Sequence, residues 1–159
     1  MLKVSIIFLQ ATVLLTALVA LAILIYFPLT EGRATNLDVL SIYLDPFILY
    51  GYVVSLAFFV ALYKVFILLS YIRKNTVFTA NAARALRNIK HCAITLGVSI
   101  VAAGVFIRFT HDKADDPAGF LAICIVTTFV ALVVATATAV LEKLLQDAIE
   151  LKSEIDATI

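Results

Sequence analysis

The chain has 159 residues, of which 64% are hydrophobic and 14% charged, and its formal net charge at pH 7 is +1. Soluble globular domains are about 45–50% apolar and about 25% charged, so this chain has too few polar side chains to cover a water-soluble fold. The composition also excludes disordered and disulfide-stapled chains, and the small net charge argues against direct binding of nucleic acid. The sequence therefore indicates an integral membrane protein.

Four apolar stretches are long enough to cross a lipid bilayer as helices, which takes about 20 residues. They cover residues 4–27, 47–71, 92–109 and 120–141. Each is apolar on every side and exceeds the roughly 9–11 residues of a membrane β-strand. The first resembles a secretory signal, but its apolar run is too long and no small-residue cleavage site follows it. The sequence predicts one all-α domain, residues 1–159, built as a four-helix transmembrane bundle.

The connections between the spans differ in charge, and this difference predicts their orientation. Residues 72–91 carry five Lys or Arg side chains, whereas residues 110–119 carry three Asp and one Lys. Short loops rich in Lys and Arg stay in the cytoplasm, so residues 72–91 and both termini are predicted to be cytoplasmic, in a bacterial inner membrane. Residues 37–44, on the opposite side, are semi-apolar and compatible with a short helix along the membrane interface.

The sequence shows no arrangement typical of a catalytic, metal or cofactor site. The two histidines, His91 and His111, fall at opposite ends of the third span. Cys92 and Cys124 lie at different membrane depths, too far apart for a disulfide. No metal-ligand spacing and no nucleotide-binding motif is present. We therefore expect a protein that is not an enzyme and uses no cofactor or metal.

Lys64 lies inside the second span, where ionisable side chains are costly and often functional. Its side chain can reach the headgroups near Tyr71, or it can serve a partner or a transport path. A small channel or transporter is the alternative function for the chain, alone or as a homo-oligomer. The three prolines stand at span boundaries and no carboxylate lies deep in a span, which argues against transport. Gly97 and Gly104, on one face of the third span, favour close helix packing.

The most patterned polar residues lie on the predicted cytoplasmic side. Residues 80–90 are good helix formers with basic side chains on one face. Residues 142–159 continue the fourth helix as an amphipathic tail with an apolar stripe and acidic flanks. The two segments could pair with each other, the basic one could contact anionic lipid, or both could bind another protein. The candidate docking residues are Arg84, Arg87, Lys90, Leu151, Glu154 and Asp156.

Two stretches resemble a known family. They are FTANAARALRNI, from Phe78 to Ile89, and ELKSEIDATI, residues 150–159. Both are similar to motifs of the bacterial domain-of-unknown-function family 2975, which comprises small four-helix membrane proteins. This chain departs from the family pattern at Ile155 and Ala157, where the family has Asn and Leu. The resemblance implies a gene neighbourhood with a helix-turn-helix regulator of the XRE type, and it supplies no catalytic residue.

These observations together predict a non-enzymatic protein held in the lipid bilayer. We expect it to act through its cytoplasmic connection and tail on a protein partner, such as a small helix-turn-helix transcriptional regulator. An accessory subunit of a larger membrane complex is a further alternative. The ligand or stimulus, if there is one, has no signature in the sequence.

Overall fold

The computed structural model describes residues 2–30, 39–110 and 118–158, and within these ranges the chain is helical with no strand. Four long apolar helices, each long enough to cross a membrane, confirm the predicted all-α transmembrane fold. The elements are α1 (Leu2–Thr30), α2 (Val39–Tyr43), α3 (Pro46–Arg73), α4 (Ala80–Thr110) and α5 (Ala118–Thr158). His111, the acidic connection that follows it and the start of the 37–44 segment lie outside the described residues.

The short helix α2 lies where the sequence suggested one, and it joins α1 to α3. The Tyr43 hydroxyl donates a hydrogen bond to the Ile25 carbonyl of α1 (2.9 Å). Helix α3 then begins at once, because the Asp45 carboxylate accepts a hydrogen bond from the Phe47 amide (2.8 Å). Pro46 occupies the first helical position, where its missing N–H costs nothing. This connection fixes the ends of α1 and α3 next to each other.

Two of the helices are clearly longer than the hydrocarbon core of a membrane, which is about 30 Å thick. Helix α5 has 41 residues, so its length is about 60 Å, roughly twice the hydrocarbon core. Helix α4 has 31 residues and runs without a break from the basic connection into the third predicted span. Both helices are therefore long enough to extend beyond the hydrocarbon core. The basic residues and the acidic tail are rigidly continuous with membrane-spanning helices.

The helices pack mainly in chain order: α1 on α3, α3 on α4, and α4 on α5, the last pair being the most extensive. Two glycines of α4 lie in this contact and face α5. A Cβ atom at Gly97 would lie 3.6 Å from the Ala131 Cβ, and one at Gly104 would lie 3.5 Å from the Cys124 Cβ. Both glycines therefore lie at a helix contact, as predicted, at distances where a Cβ atom would still make ordinary van der Waals contact. Among the described residues no pairing of similar extent joins α1 to α5.

Candidate docking surface at the basic end

The candidate docking residues belong to one end of the molecule, which we call the basic end. It comprises the last turn of α3, the connection from Lys74 to Thr79, the first three turns of α4 and α5 from Glu142 onward. Asn75 adopts a left-handed conformation (φ 55°) directly after α3, which asparagine tolerates better than most residues. The Thr79 carbonyl accepts hydrogen bonds from the Ala82 and Ala83 amides (3.1 and 3.3 Å) and starts α4.

A small core of buried apolar side chains holds the basic end together. Its centre is Ala82, Ala83, Leu86 and Leu145. Half-buried side chains from α3, the connection and α5 pack around it, namely Leu68, Tyr71, Val77 and Ile149. The alanines of α4 let the neighbouring helices approach closely, as small residues do at helix contacts. The core therefore fixes the C-terminal part of α5 against the first turns of α4.

A buried carboxylate lies beside this core and forms ion pairs with two basic side chains. Glu142 is 5% exposed, and its Oε1 accepts a hydrogen bond from the Arg87 Nε (2.8 Å). Its Oε2 accepts one from the Lys90 Nζ (2.6 Å). A buried carboxylate is stable only when paired and hydrogen-bonded. We call this group the Glu142 clamp, and it ties α4 to α5 where both helices leave the predicted spans.

Two candidate docking residues already have a partner in the Glu142 clamp. Arg87 and Lys90 are engaged with Glu142 of the same chain, with exposed side-chain fractions of 54% and 26%. The suggestion that the basic connection and the tail pair with each other holds at this position. The remaining candidates are exposed: Arg84 on α4, and Leu151, Glu154 and Asp156 on α5. A docking role for any of the six stays a prediction.

Helix α5 extends past the start of α4. The contacts between the two helices are antiparallel, from Gly104 beside Cys124 to Arg87 beside Glu142. Ile149 is the last residue of α5 that packs on the basic-end core. Every residue from Glu150 to Thr158 is exposed. These nine residues form a helical segment of about 13 Å that projects from the molecule, and we call it the projecting segment.

Lys64 is partly buried in α3, and its Nζ lies 5.8 Å from the centre of the Tyr63 ring. The contact is a cation–π interaction between neighbouring residues, which provides modest stabilisation. The reach of this side chain toward the headgroups stays a prediction. A role for Lys64 in transport stays a prediction.

One polar cluster at the same end was not singled out from the sequence. Gln10 of α1 is 6% exposed, and its Nε2 donates a hydrogen bond to the Ser70 Oγ of α3 (2.9 Å). The Arg73 Nη1 donates a longer one to the Gln10 Oε1 (3.4 Å). The sequence did contain a signal for this cluster. An uncharged polar residue inside an apolar span needs a hydrogen-bond partner in lipid, which predicts a polar contact with a neighbouring helix.

Comparison with known proteins places the chain among membrane proteins. A family model described as "Protein of unknown function (DUF2975)" matches residues 28–159. The chain is 38% identical over 159 residues to the "Uncharacterized membrane protein YoaS" of Bacillus subtilis (strain 168), covering 99% of each sequence. No solved structure matches. Among the described residues, no group of three His, Cys, Asp or Glu side chains is arranged to hold a metal ion.

Proposed function

Because the chain belongs to this family of integral membrane proteins of unknown function, we propose that it docks a cytoplasmic protein on its basic end and performs no catalysis itself. The partner we propose is a small helix-turn-helix transcriptional regulator, which the family resemblance suggests. The observation that carries the proposal is the projecting segment, nine exposed helical residues that make no contact within their own chain's core.

The anchoring of this segment supports a binding role. The basic-end core and the Glu142 clamp hold α5 up to Ile149, so the projecting segment begins from a fixed point. A rigid helix loses little conformational entropy on binding, and this improves affinity. Membrane attachment would then keep the partner near the bilayer and away from DNA.

The charge pattern indicates what the partner surface must look like. Glu154 and Asp156 are exposed acids on the projecting segment, and Arg84 is an exposed cation on the first turns of α4. A partner would need cationic side chains opposite the acids and a carboxylate opposite Arg84, because complementary charges set specificity and association rate. A helix-turn-helix protein has a basic DNA-binding face. Covering that face with the acidic segment would compete with DNA.

Co-purification with the helix-turn-helix regulator encoded nearest to the gene tests the proposal. The chain and the tagged regulator are co-expressed, membranes are solubilised in mild detergent, and recovery is quantified. We expect Glu154→Lys with Asp156→Lys to lower recovery at least tenfold, and Arg84→Glu to lower it less. Lys3→Glu, an exposed cation on α1, is the matched control and should leave recovery unchanged. Equal recovery of all variants, or no binding of the unaltered chain, would contradict the proposal.

A further inference from the structure

The C-terminal part of α5 presents an apolar stripe that its own chain leaves uncovered. The stripe has alternating spacings of three and four residues and consists of Leu141, Leu144, Ala148, Leu151, Ile155 and Thr158. Its four large side chains are 53–60% exposed. Beyond the predicted span ending at residue 141 these side chains face water, where uncovered apolar surface is unfavourable.

This stripe is distinct from the face of α5 that packs on α4. The α4-facing residues are Ala135, Thr138, Glu142, Leu145 and Ile149, and they repeat with the same alternating spacing. At 100° per residue the two stripes lie about 100° apart around the helix. Helix α4 therefore does not obstruct the exposed stripe. Another helix could lie along it while the basic-end core and the Glu142 clamp remain intact.

The exposed stripe has the pattern of a coiled-coil seam. In a heptad labelled abcdefg, Leu141, Ala148 and Ile155 occupy a, and Leu144, Leu151 and Thr158 occupy d. Ile155 at a, with Leu144 and Leu151 at d, follows the pattern that favours two parallel strands, whereas Leu141 and Ala148 at the other a positions do not carry this preference. We infer that a second copy of this chain covers the seam, so that the two α5 helices form a short parallel coiled coil. Two copies inserted in the same membrane with the same orientation can meet only in this parallel sense.

Charges beside the seam are complementary between two such copies. Asp147 occupies g and Lys152 occupies the following e, the two positions that pair between chains in a parallel coiled coil. Both side chains are exposed, and five residues apart on one helix they point in different directions and cannot pair with each other. The two-fold axis brings Asp147 of each copy next to Lys152 of the other. Lys152 lies past the start of α4, so no helix of its own chain separates it from the second copy.

Confinement to the membrane helps so short a coiled coil to form. Residues 141–158 span about two and a half heptads, which would be marginal for free peptides in water. Here the helix is already formed, anchored on α4, and concentrated in two dimensions with its partner in register. This inference goes beyond the proposed function: it assigns Leu151 to the second copy, places Glu154 at a g position beside the seam, and leaves Arg84 and Asp156 on the outer surface for another protein.

Disulfide trapping in native membranes tests the seam directly. In a Cys92→Ser, Cys124→Ala background, single cysteines are placed at Leu151→Cys, a d position, and at Ser153→Cys, an f position on the far side. The host lacks the regulator, so the result is independent of the proposed function. With a mild oxidant we expect Leu151→Cys to form disulfide-linked dimers and Ser153→Cys to remain monomeric. Equal cross-linking at both positions, or none at Leu151→Cys, overturns the inference.

A charge exchange tests the register and the parallel orientation. Asp147→Lys or Lys152→Asp alone places like charges opposite each other twice per dimer. Each should reduce cross-linking through Leu151→Cys by about three- to fivefold, as expected for two exposed ion pairs. The combined change Asp147→Lys with Lys152→Asp restores the pairs and should restore cross-linking. Failure of the combined variant to recover, while both single variants are impaired, rules out this register.

Discussion

The core of the basic end and the membrane-embedded part of the molecule bury their leucines to very different degrees. Leu86, on α4 at the basic end, is 6% exposed, whereas Leu132, in the membrane part of α5, is 60% exposed. The rest of the membrane part is similarly exposed, since only 6–11% of the residues in the most apolar 18-residue stretch of each spanning helix are buried. The same two helices thus cover more of their apolar surface at one end and leave most of it to lipid along their membrane part.

The difference follows from the solvent around each region. Lipid chains are as apolar as leucine, so a lipid-facing side chain gains little from burial against another helix. In water, each buried leucine contributes about 1.5–3 kcal/mol, so a helix that leaves the bilayer must cover its apolar face. The basic end does this with its core, and a second copy would do it for the exposed stripe of α5. The polar groups of the basic end also contribute to its stability, and the Glu142 clamp is the clearest case.

Reversing the charge at Glu142 should have the largest effect on stability. Glu142→Lys would bring three cations together in a buried site, and breaking a buried pair costs about 3–5 kcal/mol. Because Arg87 is 54% exposed and can recover its hydration, we expect a loss near the lower limit, about 3 kcal/mol. Thermal unfolding in mild detergent, in a Cys92→Ser background and followed by a thiol-reactive dye that reports the buried Cys124, detects this loss as a fall in unfolding temperature.

The control for this change is Glu150→Lys, an exposed acid on the same helix, which should unfold like the unaltered protein. Exchanging the charges with Lys90→Glu and Glu142→Lys together should recover most of the stability. If Glu142→Lys alone unfolds at the unaltered temperature, the clamp does not hold α4 and α5 together.

Shortening Leu86 should have the next largest effect and would test the comparison most directly. Leu86→Ala leaves a cavity in the basic-end core, and such changes cost about 2–5 kcal/mol. We expect about 2 kcal/mol, because several neighbours are alanines and the partly buried side chains can adjust. Leu132→Ala removes the same atoms from a lipid-facing position and should change stability by less than about 0.5 kcal/mol. Equal losses in the dye assay would mean that both regions are packed alike.

Hydropathy predicts much of this fold, because about 20 apolar residues form a helix in lipid whatever their neighbours are. The four long helices and the short helix at Val39–Tyr43 fall where the sequence suggested. The continuity of α4 and α5 beyond the spans was also foreseeable. Residues 80–90 are good helix formers, and the tail has helical periodicity.

The contact partners of individual side chains were harder to predict from the sequence, because periodicity gives the face of a helix but not its register against the next helix. Arg87 and Lys90 could be placed on a basic surface, yet their pairing with Glu142 depends on how far α4 slides along α5. In the observed register Gly97 lies beside Ala131 and Gly104 beside Cys124, and periodicity predicts neither contact. Gln10 was missed for a different reason: one uncharged polar residue barely alters the hydropathy of a long apolar span.

Replacing Gln10 should have the smallest of these effects on stability. This change tests whether polar contacts also stabilise the protein where lipid surrounds the helices. Gln10→Leu removes the hydrogen bonds to Ser70 and Arg73 that join α1 to α3. Interhelical hydrogen bonds of this kind contribute about 0.6 kcal/mol each, so the loss should be about 1 kcal/mol. Thr12→Val is the matched control, since the Thr12 hydroxyl bonds only to Phe8 of its own helix. A clear fall in unfolding temperature for Gln10→Leu alone would show that α1 is held by polar contacts as well as by lipid. Equal behaviour of both variants would mean that α1 is retained by its insertion in the bilayer and by apolar packing.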